Sequence, residues 1–87
     1  MSRIRDKIYN KTIGQKIKEA RNVKPLITQE TLGKALGVSF QSVQRYESGD
    51  NGLSSIKLLE VSNFFNKPLE YFTSDATELL EKVRPTD

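Results

Sequence analysis

Gln41, Gln44, Arg45 and Ser48 stand at positions i, i+3, i+4 and i+7, so on a helix they share one face. Val43, Tyr46 and Glu47 fall on the other side. The first face carries only groups that hydrogen-bond, and it pairs two amides with a guanidinium. A helix that hides an apolar side and turns Gln, Gln and Arg outward is chemically suited to reading base edges in a nucleic-acid groove.

Such a face needs a support, and the preceding residues predict one. In TQETLGKALG, Thr28 is a good N-cap and Leu32, Ala35 and Leu36 recur at helical spacing. Gly37 then ends that helix where a left-handed residue carries no Cβ penalty. Ser39 caps the helix that follows. Residues 28–49 therefore read as two short helices joined by a tight turn.

The rest of the chain sets bounds on function. Its 87 residues hold one domain, with the 36% hydrophobic and 29% charged residues of an ordinary globular protein. No apolar run approaches the roughly 20 residues a membrane span needs, and the N-terminus lacks the apolar segment of a signal peptide. The expected location is the cytoplasm. With no His and no Cys, zinc fingers and disulfides are excluded and the commonest general base is missing. No metal site, cofactor or catalytic activity is expected.

Charge is unevenly spread. From Met1 to Lys24, eight basic residues stand against two acidic ones, a balance of +6, and the chain total of +3 leaves −3 for the remainder. One half facing a polyanion explains this asymmetry, and so does a solvated helix with a lysine-rich outer face.

In chain order, residues 1–11 have basic residues without clear period and read as an arm or a frayed lead-in, either a poorly ordered terminus or a minor-groove arm. Thr12 caps a helix through Asn22, with Ile13, Ile17 and Ala20 on one stripe. Pro25 marks its boundary. After the turn-rich GDNGLSS, Ser54 or Ser55 caps a helix whose apolar face is assigned to Ile56, Leu59 and Phe64. Pro68 opens a short fifth helix, PLEYF, with Leu69 and Phe72 inward. Asp75 to Glu78 looks like a capping box for a last helix through Val83, stopped by Pro85. The expected fold is all-α: five helices over residues 12–73, with residues 74–87 as a short helical tail.

IGQKIKEAR, TQETLGKALGVS, VQRYESG, SSIKLLEVSNFF and PLEYF stand in the order and near the spacing of one family. From Thr12 to Phe72 the chain resembles the helix-turn-helix domain of phage repressors, Cro and the xenobiotic-response-element-type bacterial regulators. The resemblance implies a compact lambda-repressor-like DNA-binding domain. It also implies that Gln29 bonds a phosphate and buttresses the reading helix, at a helix start whose N–H groups favour anions. Phe40, Gln41, Gln44 and Arg45 then enter the major groove, with Ser39 and Ser42 at its edge. Gln pairs with adenine N6 and N7, Arg with guanine O6 and N7, and Phe40 meets a thymine methyl or packs on the domain's own surface. Arg21 and Glu47 match positions that form a partly buried ion pair in some members, and Gly33 stands where a small residue is usual. Two departures matter. Phe40 replaces a polar residue, and Asp50 follows the reading helix where Lys or Arg is usual. The phosphate grip must then come from Lys11, Lys16, Lys34 or backbone N–H groups; Lys16 and Lys34 read equally as solvated helix charges.

The function this implies is a sequence-specific transcriptional regulator, a repressor, acting as a homodimer on a pseudo-palindromic operator in double-stranded DNA. Phe64, Phe65, Leu69, Leu79, Leu80 and Val83 are candidates for the dimer surface, and simple core filling accounts for them as well. Two other readings stand beside it: an antitoxin whose C-terminal part holds a protein partner, and an interaction module that keeps the fold without binding DNA.

Overall fold

Three serine and threonine hydroxyls punctuate the chain. Thr28 Oγ1 accepts from the Thr31 N–H at 3.0 Å, Ser39 Oγ from Ser42 at 3.1 Å, and Ser54 Oγ from Lys57 at 3.1 Å. Each satisfies a backbone donor that a helix start leaves without an intrahelical partner. They open α2 (Gln29–Leu36), α3 (Phe40–Ser48) and α4 (Ser55–Phe65), which α1 (Arg3–Arg21) precedes and α5 (Leu69–Lys82) follows. This computed structural model describes residues 3–23 and 26–83. The expected boundaries at Pro25 and Pro85 lie outside the described residues.

The helix ends are equally local. Gly37 (φ 72°) and Gly49 (φ 85°) take the left-handed conformation that closes α2 and α3. Asn66 (φ 55°) does the same for α4, a role its short polar side chain tolerates. Pro68 precedes α5 as its N-cap residue and offers no side-chain acceptor.

The ends of the chain differ from expectation. Residues 3–11 are the first turns of α1, so that of the two readings it is the helical lead-in and not the arm that the structure shows. Thr12 does not cap: it lies mid-helix and its hydroxyl donates to the Ile8 carbonyl at 2.7 Å. Tyr9 packs against the core in line with buried Ile13 and Ile17, so the apolar stripe simply continues backward through the threonine. At the far end, the short helix and the tail are one helix, α5. No Gly or Pro interrupts residues 69–83, and Phe72 and Ala76 are both buried one turn apart. Burial therefore carries the helix through Asp75, where a new start was expected. The arm and the tail also meet, because the Arg5 guanidinium donates to the Leu80 carbonyl at 3.1 Å and to that of Val83.

The core joins Ile13, Ile17 and Ala20 of α1 to Leu32, Leu36, Val43, Leu58, Val61, Phe72 and Ala76. In α4 the buried residues are Leu58, Val61 and Ser62, while Ile56 and Leu59 are 66% and 51% exposed. That corrects the face assigned from sequence at Ile56 and Leu59, while Phe64, the third residue assigned to it, does pack against the core. Ala35 is exposed too, leaving Leu32, Gly33 and Leu36 as the inner side of α2. α1 lies between α3 and α5. It reaches α3 closely enough that a Cβ on Gly14 would stand 2.1 Å from the Tyr46 carbonyl oxygen.

Candidate nucleic-acid interface

The orientation of α3 is set by charge as well as by packing. Arg21 Nε donates to Glu47 Oε2 at 2.7 Å and Nη2 to Oε1 at 2.9 Å, a two-bond fork between residues each 8% exposed. Two further bonds extend the fork: Arg21 Nη1 donates to the Ile27 carbonyl at 3.0 Å, and the Gln29 amide donates to Glu47 Oε1 at 3.0 Å. The pair thus locks the end of α1, the link into α2, the first residue of α2 and the last turn of α3 together. Gln29, at the start of α2, is thereby tied to α3 through Glu47.

Opposite that lock, Phe40, Gln41, Gln44 and Arg45 are all exposed. Phe40 is 44% exposed and is not buried in the domain. Arg45 makes no ion pair among the described residues, leaving its five donors for a ligand. Ser39 and Ser42 sit at the start of this face but are occupied with one another: beyond the cap, their hydroxyls hydrogen-bond at 3.2 Å. Four candidate readers are brought together on one side of one nine-residue helix.

The candidate cations sort differently from the expectation. Lys16 does not reach this region. It lies on the α5 side of α1, 3.8 Å from Asp75 and 3.6 Å from Glu19, with its ammonium over the Tyr71 ring at 4.6 Å. Its place against α5 follows from the helical angle, since it stands about 200° around α1 from Gly14, the point of contact with α3. Lys34 is exposed on α2. The residues of α1 that do border α3 are Lys11, Gln15 and Lys18, which line one shallow groove with Gln29, Gln44 and Ser48. Lys18 and Gln15 were not singled out from sequence. Their spacing with Lys11, four and then three residues, was the available signal.

Asp50 is exposed behind α3. Its loop is drawn onto α1: a Cβ on Gly49 would be 2.8 Å from Lys11 Cα, and one on Gly52 2.7 Å from Asn10 Oδ1. Among the described residues, no cluster of three or more His, Cys, Asp or Glu could hold a metal, and no helix is long and apolar enough to cross a membrane.

Comparison with known proteins places this geometry. A family model described as helix-turn-helix matches residues 17–72. An uncharacterised transcriptional regulator encoded in the ATPase CF(0) region of Rhodospirillum rubrum is 38% identical over 63 residues, covering 72% of this chain and 57% of that protein. An uncharacterised HTH-type transcriptional regulator of Sinorhizobium medicae is 36% identical over 64 residues, 74% of this chain and 45% of that protein. The chain thus spans about half the length of these relatives. Among solved structures, the restriction-modification controller protein C.AhdI of Aeromonas hydrophila superposes with a TM-score of 0.67 at 22% identity, over 82% of this chain and 99% of that one, a likeness of fold.

Proposed function

The chain belongs to the helix-turn-helix family of Cro/C1 type, whose members are DNA-binding transcriptional regulators, and from that premise we propose that it is a repressor that binds a pseudo-palindromic operator as a homodimer. The observation that carries the reading is the exposed set Gln41, Gln44 and Arg45 on a helix held in place by the Arg21–Glu47–Gln29 lock. Gln41 and Arg45 are the main readers, each bidentate contact discriminating between bases by about 1 to 3 kcal/mol. Phe40 adds an apolar contact to a thymine methyl, and Gln29, Ser39, Ser42 and Lys34 meet the phosphate backbone. Homodimerisation sets two reading helices about 34 Å apart, one turn of the duplex. Leu69 and Leu79, 37% and 41% exposed, are the dimer candidates that the core leaves accessible, whereas Phe64 and Phe65 pack against it. The setting is the cytoplasm.

Selection of bound duplexes from a random pool tests this reading. The expected result is an enriched site with two-fold symmetry, and Arg45→Ala is expected to lose preference at one base pair per half-site. If Arg45→Ala and Gln41→Ala both select the wild-type site unchanged, α3 is not the reader. A second reading draws on α5, whose outer side carries Glu70, Asp75, Glu78 and Glu81. That acidic surface suits a basic protein partner, as in an antitoxin, and co-purification of a small second protein would favour it.

A further inference from the structure

We infer that Lys7, Lys11 and Lys18 form a second phosphate-binding track along α1, which takes the place of the missing cation in the loop behind the reading helix. This rests on the DNA-binding reading above. The three lysines lie at positions i, i+4 and i+11 of one continuous helix, within about 40° of one another around its axis and spread over roughly 16 Å along it. That length follows several successive phosphates of one strand. All three are exposed, and none makes an ion pair among the described residues.

Position connects the track to the reading face. Lys11 and Lys18 line the groove that Gln44 and Ser48 close from the other side, so a strand that brings base edges to Gln44 passes their ammonium groups. The loop gives an independent reason. Gly49 and Gly52 seat it directly on Lys11 and Asn10, so the place where a loop cation would stand is the place where α1 runs. Asp50 repels a phosphate there, and Lys11, backbone to backbone with Gly49, supplies the opposite charge. Lys7, one turn earlier, extends the grip beyond the reading helix. The extra length of α1 before Thr12 thereby gains a use: it carries Lys7 and Lys11 in line with Lys18.

A salt titration of binding to a short random-sequence duplex tests the track, because backbone contacts do not depend on sequence. Each phosphate-bound lysine contributes about 0.9 to the slope of log affinity against log salt. The double variant Lys7→Gln/Lys11→Gln is expected to lower that slope by about 2, and Lys18→Gln by about 1. Base preference in the pool selection should stay as in the wild type. Lys16→Gln is the control, since it removes the same charge from the same helix on the side held by α5; its slope should not move. Helix content by circular dichroism shows that each variant is folded. Unchanged slopes in the Lys7, Lys11 and Lys18 variants would overturn the track alone, as would an equal fall in Lys16→Gln. If the wild type binds no duplex even at low salt, the DNA reading itself falls, and the track with it.

Discussion

Arg21 is the side chain on which the placement of α3 depends most. Its guanidinium makes three hydrogen bonds inside the protein, two to Glu47 and one to Ile27, and Glu47 in turn accepts from Gln29. No buried side-chain polar atom among the described residues lacks a partner, so the network has no slack to absorb a loss. Arg21→Met leaves the Glu47 carboxylate buried and uncompensated, which should cost about 3 to 5 kcal/mol. Arg21→Met/Glu47→Leu removes both charges together and is expected to cost less than the sum of the single changes, as read from denaturant midpoints. The double variant should nonetheless lose DNA affinity, because Gln29 then has no carboxylate to hold it. The pair was legible from the family pattern, whereas Gly14 was not. A lone glycine within a helical stretch carries no sign of what stands 2.1 Å from its missing Cβ.

Among the elements, α2 and α3 were the most legible and α4 the least. An N-cap is a bond between residues three apart and a left-handed C-cap a property of one glycine, so Thr28, Ser39 and Gly37 could be read in place. The inner face of α4 could not, since SIKLLEVSNFF is apolar almost all round and its neighbours, not its own period, choose the side. They choose Leu58 and Val61 and leave Ile56 and Leu59 outside. Leu58→Ala should therefore cost about 2 to 5 kcal/mol, while Ile56→Ser should stay within about 0.5 kcal/mol in thermal melts. Equal losses would mean that Ile56 is covered in solution. α1 and α5 were each cut into two from sequence for the same reason: a threonine and an acid that resemble caps were overruled by apolar residues that stay on one stripe past them.

At the scale of the molecule, the charge asymmetry noted in the sequence becomes a geometry. Lysines run along the exposed side of α1 next to the reading face, and carboxylates gather on the outer side of α5. The order of five motifs was enough to read the fold, but not that residues 3–11 and 74–83 pack on each other. That contact spans 75 positions in sequence, since Arg5 and Leu80 belong to opposite ends of the chain.

A bond between residues so distant closes a loop of nearly the whole polypeptide, and loop closure of that length is entropically the most demanding in the molecule. The first turns of α1 and the last turn of α5 should therefore form late and come apart together, as one cooperative unit of lower stability than α2 and α3. Arg5→Ala should raise amide hydrogen exchange in both of these segments by the same factor and leave that of α3 unchanged. Because Lys7 belongs to that unit, its opening would also set how long the outer end of the chain stays on a DNA strand.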